Sequence, residues 1–326
     1  MRIFHNANYD FMGKRKKMYL LSTVVIAIGF IVLLTFKSIP LGIDFIGGTE
    51  MQVQFQNDVN VGELRSIMDE AGFPGMEIKT MGDNKNILLR TPMQGEGTVV
   101  SDQIQAAISA KITDNQFQGM RLDKVGPKIG AELRTNALFA IIFSLIAILI
   151  YLAFRFQFVF AVGAVIALFH DVLITIAAIA IADWIFPDLR LEFNQSMLAA
   201  FLTLIGFSTN DTVIVFDRIR ENIKLFKNED IEQVMNKSIN ATLSRTVITS
   251  GLVFLTVFVL FLFGGEVNRS FAFTIAEGII TGTYTTILIT SAIVVEWKER
   301  EMAKSISKKT ARVGKISAPK VKKANA

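Results

Sequence analysis

Six long, nearly uncharged runs constrain this chain more than any other feature. The first is Met18 to Phe36, and the others lie near 137–154, 158–182, 196–216, 246–263 and 271–295. A helix of about 20 apolar residues crosses the ~30 Å hydrocarbon core of a bilayer, and each run has about that length. Composition agrees, with 51% hydrophobic residues, 27 of them Phe, and only 19% charged. Soluble domains carry charge on about a quarter of their residues. The reading is therefore a polytopic α-helical membrane protein with six transmembrane helices, and not a large soluble core. The first run is long for a signal peptide and is followed by no clear small-residue cleavage site, so it reads as an anchor.

Basic residues set the orientation, because Lys and Arg are retained on the cytoplasmic side. Lys14, Arg15, Lys16 and Lys17 precede the first run, which makes residues 1–17 a cytoplasmic N-terminus. Six crossings return the C-terminus to the same side. The tail, 297–326, agrees independently, with ten basic residues between Lys298 and Lys323. It reads as a basic cytoplasmic segment without fixed structure. Arg218, Arg220, Lys224, Lys227 and Lys237 mark the loop between the fourth and fifth runs as inside, while the outside loops 183–195 and 264–270 hold one Arg each. The formal charge of +5 follows from this topology. No nucleic-acid signature accompanies it, so no nucleic acid is expected as a partner. Zero cysteines exclude disulfides, thiolate metal sites and Cys nucleophiles.

Residues 37–133 are a different material, charged and rich in turn signals. Glu50–Gln56 alternates as a strand, and Val61–Ala71 carries a helical stripe ended by Gly72, Pro74 and Gly75. Strands near 76–80 and 86–91 flank Gly82-Asp83-Asn84, Ser101 is placed to cap a helix through Ile112, and a last strand fits 117–125. The order β-α-β-β-α-β predicts an α+β ferredoxin-like extracytoplasmic domain between helices one and two. It has no His, and its acids are scattered, which favours binding or mechanical work over chemistry. The remaining spans form a five-helix bundle over 134–296.

Charged residues inside spans are costly and are usually buried against protein or water. His170 and Asp171 are adjacent in the third run. Neighbours on a helix point about 100° apart, so each can meet a different helix. Glu277 lies in the outer third of the sixth run, within reach of headgroup water. Asp211 is the strongest candidate, ~22 Å along the fourth run, inside the polar break Ser208-Thr209-Asn210-Asp211-Thr212. A second patch, Ser244-Arg245-Thr246 with Thr249 and Ser250, opens the fifth run at similar depth. An Asp211–Arg245 pair that opens on protonation would be a proton-coupled switch, and a permanent buried ion pair is the plainer alternative. No paired-His metal site, nucleophile elbow or Walker motif is present, so no enzyme activity and no cofactor or metal is expected.

Four stretches together resemble the SecD/SecF family of bacterial protein-export membrane proteins, within the resistance-nodulation-division (RND) superfamily. Gly42-Ile43-Asp44-Phe45-Ile46-Gly47-Gly48-Thr49 is similar to its Gly-rich signature after span one, with Ile46 replacing the usual Thr. Val125-Gly126-Pro127-Lys128-Ile129-Gly130 is similar to its Val-Gly-Pro-x-x-Gly before span two. The seventeen residues Gly206–Asn222 are close to its longest signature, and Ser238–Thr246 resembles the entry to span five. The resemblance runs from about residue 14 to about 298. It implies six spans, with Asp44, Gly47, Gly48, Gly126, Pro127 and Gly130 as structural motif residues. It implies ion coupling through Asp211 and Arg245, the same two residues that the polar breaks single out; His170, Asp171, Asn210, Thr246 and Glu277 remain the secondary polar candidates read from the spans themselves. It further implies work beside SecD, often with YajC, at the SecYEG channel on a translocating preprotein in the bacterial inner membrane. The proton motive force, or sodium in some members, drives the late steps. A stand-alone small-molecule exporter and an uncoupled scaffold are the competing classes. One six-span half with one outer domain favours protein export, since such exporters usually carry two halves.

Overall fold

A computed structural model describes residues 4, 7–36, 40–92, 98–189 and 191–316. Its described residues include six helices long and apolar enough to cross a membrane: Met12–Thr35, Pro127–Arg155, Phe158–Ile185, Gln195–Leu225, Ile231–Phe263 and Asn268–Glu301. These are spans one to six below. Their burial is unequal. In span six 72% of the most apolar window is covered, against 11% in spans two and five. Span six is thus the centre of the bundle, and spans two and five present open apolar faces.

The helices outrun the apolar runs, for local reasons. Span two begins at Pro127, where the fixed φ of proline suits the first helical turn and Gly126 precedes it in extended conformation. Span five begins at Ile231, because Val234, Met235, Ser238, Ile239 and Thr242 pack inward before its apolar run starts. The loop between spans four and five shrinks accordingly. The last helix runs on to Ile316, so the tail expected to lack structure from residue 297 continues span six. Lys320, Lys322 and Lys323 lie outside the described residues.

Between spans one and two lies a four-stranded antiparallel sheet: β1 (Gly48–Phe55), β2 (Glu77–Met81), β3 (Asp83–Thr91) and β4 (Phe117–Val125). Its order is β2-β3-β1-β4, the split arrangement expected from the element order. Two helices, Val61–Glu70 and Val99–Lys111, cover one face. Met51, Val53 and Phe55 on β1 meet Leu64, Ile67 and Met68, together with Ile104 and Ile108. Asn60 caps the first helix by accepting from Gly62 N. Ser101 does not cap the second. That helix starts at Val99, and the Ser101 hydroxyl donates back to Thr98 O at 2.8 Å, while Thr98 Oγ1 donates to Asp102 at 2.7 Å.

The domain is fastened to the membrane helices by backbone and charge. Gly42 N donates to Phe193 O at 2.9 Å, Phe193 N to Pro40 O at 2.8 Å, and Gln195 N to Asp44 Oδ2 at 2.9 Å at the start of span four. Arg90 on β3 bonds Glu50 on β1 and Glu192 on the loop before span four, both at 2.5 Å, and Glu77 at 3.1 Å. Burial holds the Glu50 carboxyl above its ordinary range despite Arg90. Burial works against the charge on Arg90, yet Glu192 and Glu50 outweigh it and raise the guanidinium pKa.

Candidate functional site within the helix bundle

The glycine-rich segment explains how the outer domain approaches the bundle. Gly47 and Gly48 have φ of 79° and 137°, values that L side chains rarely adopt. A Cβ on Gly48 would stand 2.6 Å from Thr91 O. Across the contact, a Cβ on Gly130 would come within 3.1 Å of both Gly47 N and Phe45 O. Gly47 and Gly130 therefore meet in a close backbone junction next to Gly48, with Gly126 and Pro127 setting the start of the helix that carries Gly130, while the Asp44 carboxylate holds Gln195 N at the start of span four.

Asp211 lies inside the bundle, 1% exposed. Its Oδ2 accepts from Ser250 Oγ of span five at 2.9 Å, and its Oδ1 has no hydrogen-bond partner. Arg245 attracts this carboxylate through space without a hydrogen bond, and its side chain is exposed. The direct Asp211–Arg245 pair entertained from sequence is therefore not formed here; Ser250 is the contacting group. Thr246, one turn before Ser250, is buried with its hydroxyl unpartnered. Asn210 faces away and is exposed, as adjacency on a helix requires.

A second polar cluster lies among spans three, four and six. Asp171 Oδ2 accepts from Ser208 Oγ of span four at 2.6 Å, while His170 Nδ1 is 3.1 Å from Thr285 Oγ1 of span six. The two neighbours thus meet different helices. Thr212 and Thr286 share a hydrogen bond of 3.1 Å nearby. Thr285–Thr290 is a π-helical turn, a local widening often found where a helix carries function. Glu277 does not reach toward headgroup water. Its Oε1 accepts from Thr281, and its Oε2 is buried without a partner.

Sequence reasoning did not assign Ser208 and Thr281 to these carboxyls, nor the Arg90–Glu192 contact. Ser and Thr residues punctuating apolar runs were the available signal for the first two. Nothing local could pair residues 102 positions apart for the third.

Comparison with known proteins follows the same lines. Residues 104–300 match the family described as "Protein export membrane protein SecD/SecF, C-terminal", and residues 32–59 match the "SecD/SecF GG Motif". The protein translocase subunit SecF of Rhodothermus marinus is 41% identical over 304 residues, covering 93% of this chain and 98% of that one. The subunit of the same name from Calditerrivibrio nitroreducens is 41% identical over 298 residues, covering 90% and 95%. The crystal structure of SecDF, a translocon-associated membrane protein from Thermus thermophilus, superposes with a TM-score of 0.79 at 35% identity. That match covers 92% of this chain but 40% of the SecDF chain, so this chain spans about two fifths of the solved protein.

Proposed function

The chain belongs to the SecD/SecF family of protein-export membrane proteins, and from that premise we propose that it is the SecF-like subunit which couples the proton motive force to late preprotein translocation. A transport subunit of this family works with the Sec translocon and is not an enzyme. In the finer reading its partners are SecD, the SecYEG channel, the passing preprotein and YajC. The termini face the cytoplasm of a bacterial inner membrane, and residues 37–133 face outward.

One observation carries the coupling reading: Asp211 is buried at membrane depth with one carboxylate oxygen bonded only to a hydroxyl and the other unpartnered. Such a group is positioned to exchange a proton, and Arg245 is near enough to respond to its charge. One charge crossing the full potential supplies about 2.3 kcal/mol per 100 mV, so repeated cycles must accumulate work. The exposed Asn210 and Arg245, together with the open faces of spans two and five, support the presence of a second membrane subunit, since polar groups at this depth need protein or water beside them.

The test is preprotein translocation into inverted vesicles, with and without an imposed gradient, beside an ion-flux assay. Asp211→Asn keeps size and hydrogen bonding but cannot titrate. It is expected to fold, bind its partner and lose gradient-dependent completion of export. Arg245→Lys is expected to retain part of the function if charge suffices, and little if the guanidinium geometry matters. Full gradient stimulation by a folded Asp211→Asn protein removes Asp211 from the mechanism.

A further inference from the structure

A cavity of about 330 Å³ opens at the end of the bundle remote from the folded domain, between the ends of spans two, three, four and six. Four basic side chains line it, Arg155, Arg220, Lys224 and Lys298, and no acidic residue does. Arg220 and Lys224 are one turn apart on span four and share a face. Among the described residues neither forms an ion pair, and Lys298 lies over the Phe160 ring, 5.6 Å from its centroid, without an acid. Arg155 lies over the Phe156 ring at 5.2 Å and donates to Asp217 at 3.2 Å. Setting Asp217 against Arg155 leaves the other three cations uncompensated. Neighbouring acids are taken elsewhere, Glu221 by Arg218 and Glu299 by Arg15. The cavity beneath the outer domain differs: acids line it as often as bases, and Arg90 closes it with Glu50 and Glu192.

Depth and lining select the ligand. Arg155, Lys298 and Arg220 follow the ends of their apolar runs by one, three and four residues, about 1.5–6 Å along a helix. That is the headgroup layer, which adds about 10–15 Å to a bilayer over its two leaflets. The floor is apolar: Phe156 and Phe160 are buried and meet Phe216 edge-on at 5.9 and 4.9 Å. Beside it Phe154 is 90% exposed and Phe158 64%, at the ends of spans two and three, and span two continues as an open apolar face. Gln157, at the start of span three, makes no side-chain cap, so the partial positive charge of that helix end adds to the cations. A small soluble anion has no use for the exposed rings. A phospholipid places its phosphate among the cations and its acyl chains along the open face of span two.

Each basic group near a membrane surface attracts anionic lipid, and basic pockets between transmembrane helices hold phospholipid headgroups. We propose that this cavity binds the phosphate of one anionic phospholipid, with Arg220, Lys224 and Lys298 as its ligands and Arg155, positioned by Asp217, as the fourth. Such a site is separate from the coupling role of Asp211 and needs only that the six helices span a bilayer. It also gives a task to the far end of the Gly206–Asn222 stretch, which Asp211 leaves unexplained. An acidic segment of a partner protein has the right charge too, but Phe154 and Phe158 at the hydrocarbon boundary favour the lipid.

Native mass spectrometry of the full chain in a neutral detergent tests this, with phosphatidylglycerol added against phosphatidylcholine of the same acyl chains. A single phosphatidylglycerol is expected to bind about tenfold more tightly than phosphatidylcholine, and to survive an excess of inorganic phosphate. The Arg220→Gln, Lys224→Gln double variant is expected to lose about tenfold or more of that affinity, while the charge-conserving Arg220→Lys, Lys224→Arg variant keeps it. Both side chains are exposed, so folding is expected to be unchanged. Added phosphatidylglycerol should raise the thermal midpoint of the wild type and not that of the glutamine variant. Lys227→Gln with Arg300→Gln removes the same charge outside the cavity and is expected to leave binding unchanged. An equal loss in that control overturns the proposal, because the attraction is then diffuse. Equal binding of the two lipids overturns it too. Displacement by inorganic phosphate would make this a free-phosphate site, and loss of the lipid when a SecD-like partner is bound would give the cavity to that partner; either result overturns the lipid assignment.

Discussion

The two regions rich in buried charge solve the same problem in opposite ways. At the foot of the outer domain, Glu50, Glu77 and Glu192 converge on one guanidinium, and Lys79 adds a second cation to Glu77 and Glu192. Inside the bundle, Asp171, Asp211 and Glu277 are met by Ser, Thr and His, and each keeps one oxygen without a hydrogen bond. A network closed by a permanent cation has no use for a proton and serves as a fastening. Carboxyls left among hydroxyls retain a vacancy that a proton can fill. The difference separates a structural joint from sites suited to exchange, although both are buried and acidic.

The largest effect should come from opening the closed network. Arg90→Ala leaves Glu50 without its cation and Glu192 with only the Lys79 ammonium, which is expected to cost about 3–5 kcal/mol. Denaturant or thermal unfolding of the full chain measures it. A loss below about 1 kcal/mol, the value of a surface pair, would erase the contrast between joint and bundle.

Next comes the backbone joint beside that network. Gly48→Ala forces a side chain into a left-handed conformation and against Thr91 O, with an expected cost of about 1–3 kcal/mol. Gly72→Ala has the strain of φ 90° but open space around its Cβ, so it is the control that separates strain from contact. Equal losses at both positions would show that the close approach at Gly48 adds nothing.

Inside the bundle, Ser208→Ala removes the hydroxyl that Asp171 uses. Hydrogen bonds between membrane helices are worth about 0.6 kcal/mol on average and about 1.7 at most, so a smaller loss is expected here than at Arg90. Thr209→Ala, whose hydroxyl bonds only its own helix at Ile205 O, should cost less still. A Ser208→Ala loss equal to that of Arg90→Ala would make the bundle cluster as structural as the joint.

The smallest effect concerns Asp10, an exposed carboxylate that accepts from Gly13 N and Asn236 Nδ2, both at 2.9 Å. The Gly13 amide and then Asn236 hold it below the usual aspartate range. Its contribution is therefore complete above the ordinary aspartate value and lost as pH falls through the depressed one. Acid unfolding of wild type against Asp10→Asn measures the difference, and identical pH profiles would show that this exposed contact adds nothing.

Much of this protein was legible in its sequence. Spanning helices declare themselves because a bilayer demands length and apolarity from each segment alone. The outer domain was legible because strand alternation and turn residues are local signals, and so were the glycines that its junction needs. The polar residues in the spans were visible as exceptions to apolarity. Their partners were not. That Asp211 meets Ser250 rather than Arg245, that Glu277 is buried rather than facing headgroup water, and that Arg90 reaches Glu192 all depend on how helices rotate and cross. Rotation is set by packing over the whole bundle, where a turn of about 100° moves a side chain from one neighbour to another. Sequence thus determined which residues carry charge into the membrane, and tertiary structure decided which of them found a counter-charge.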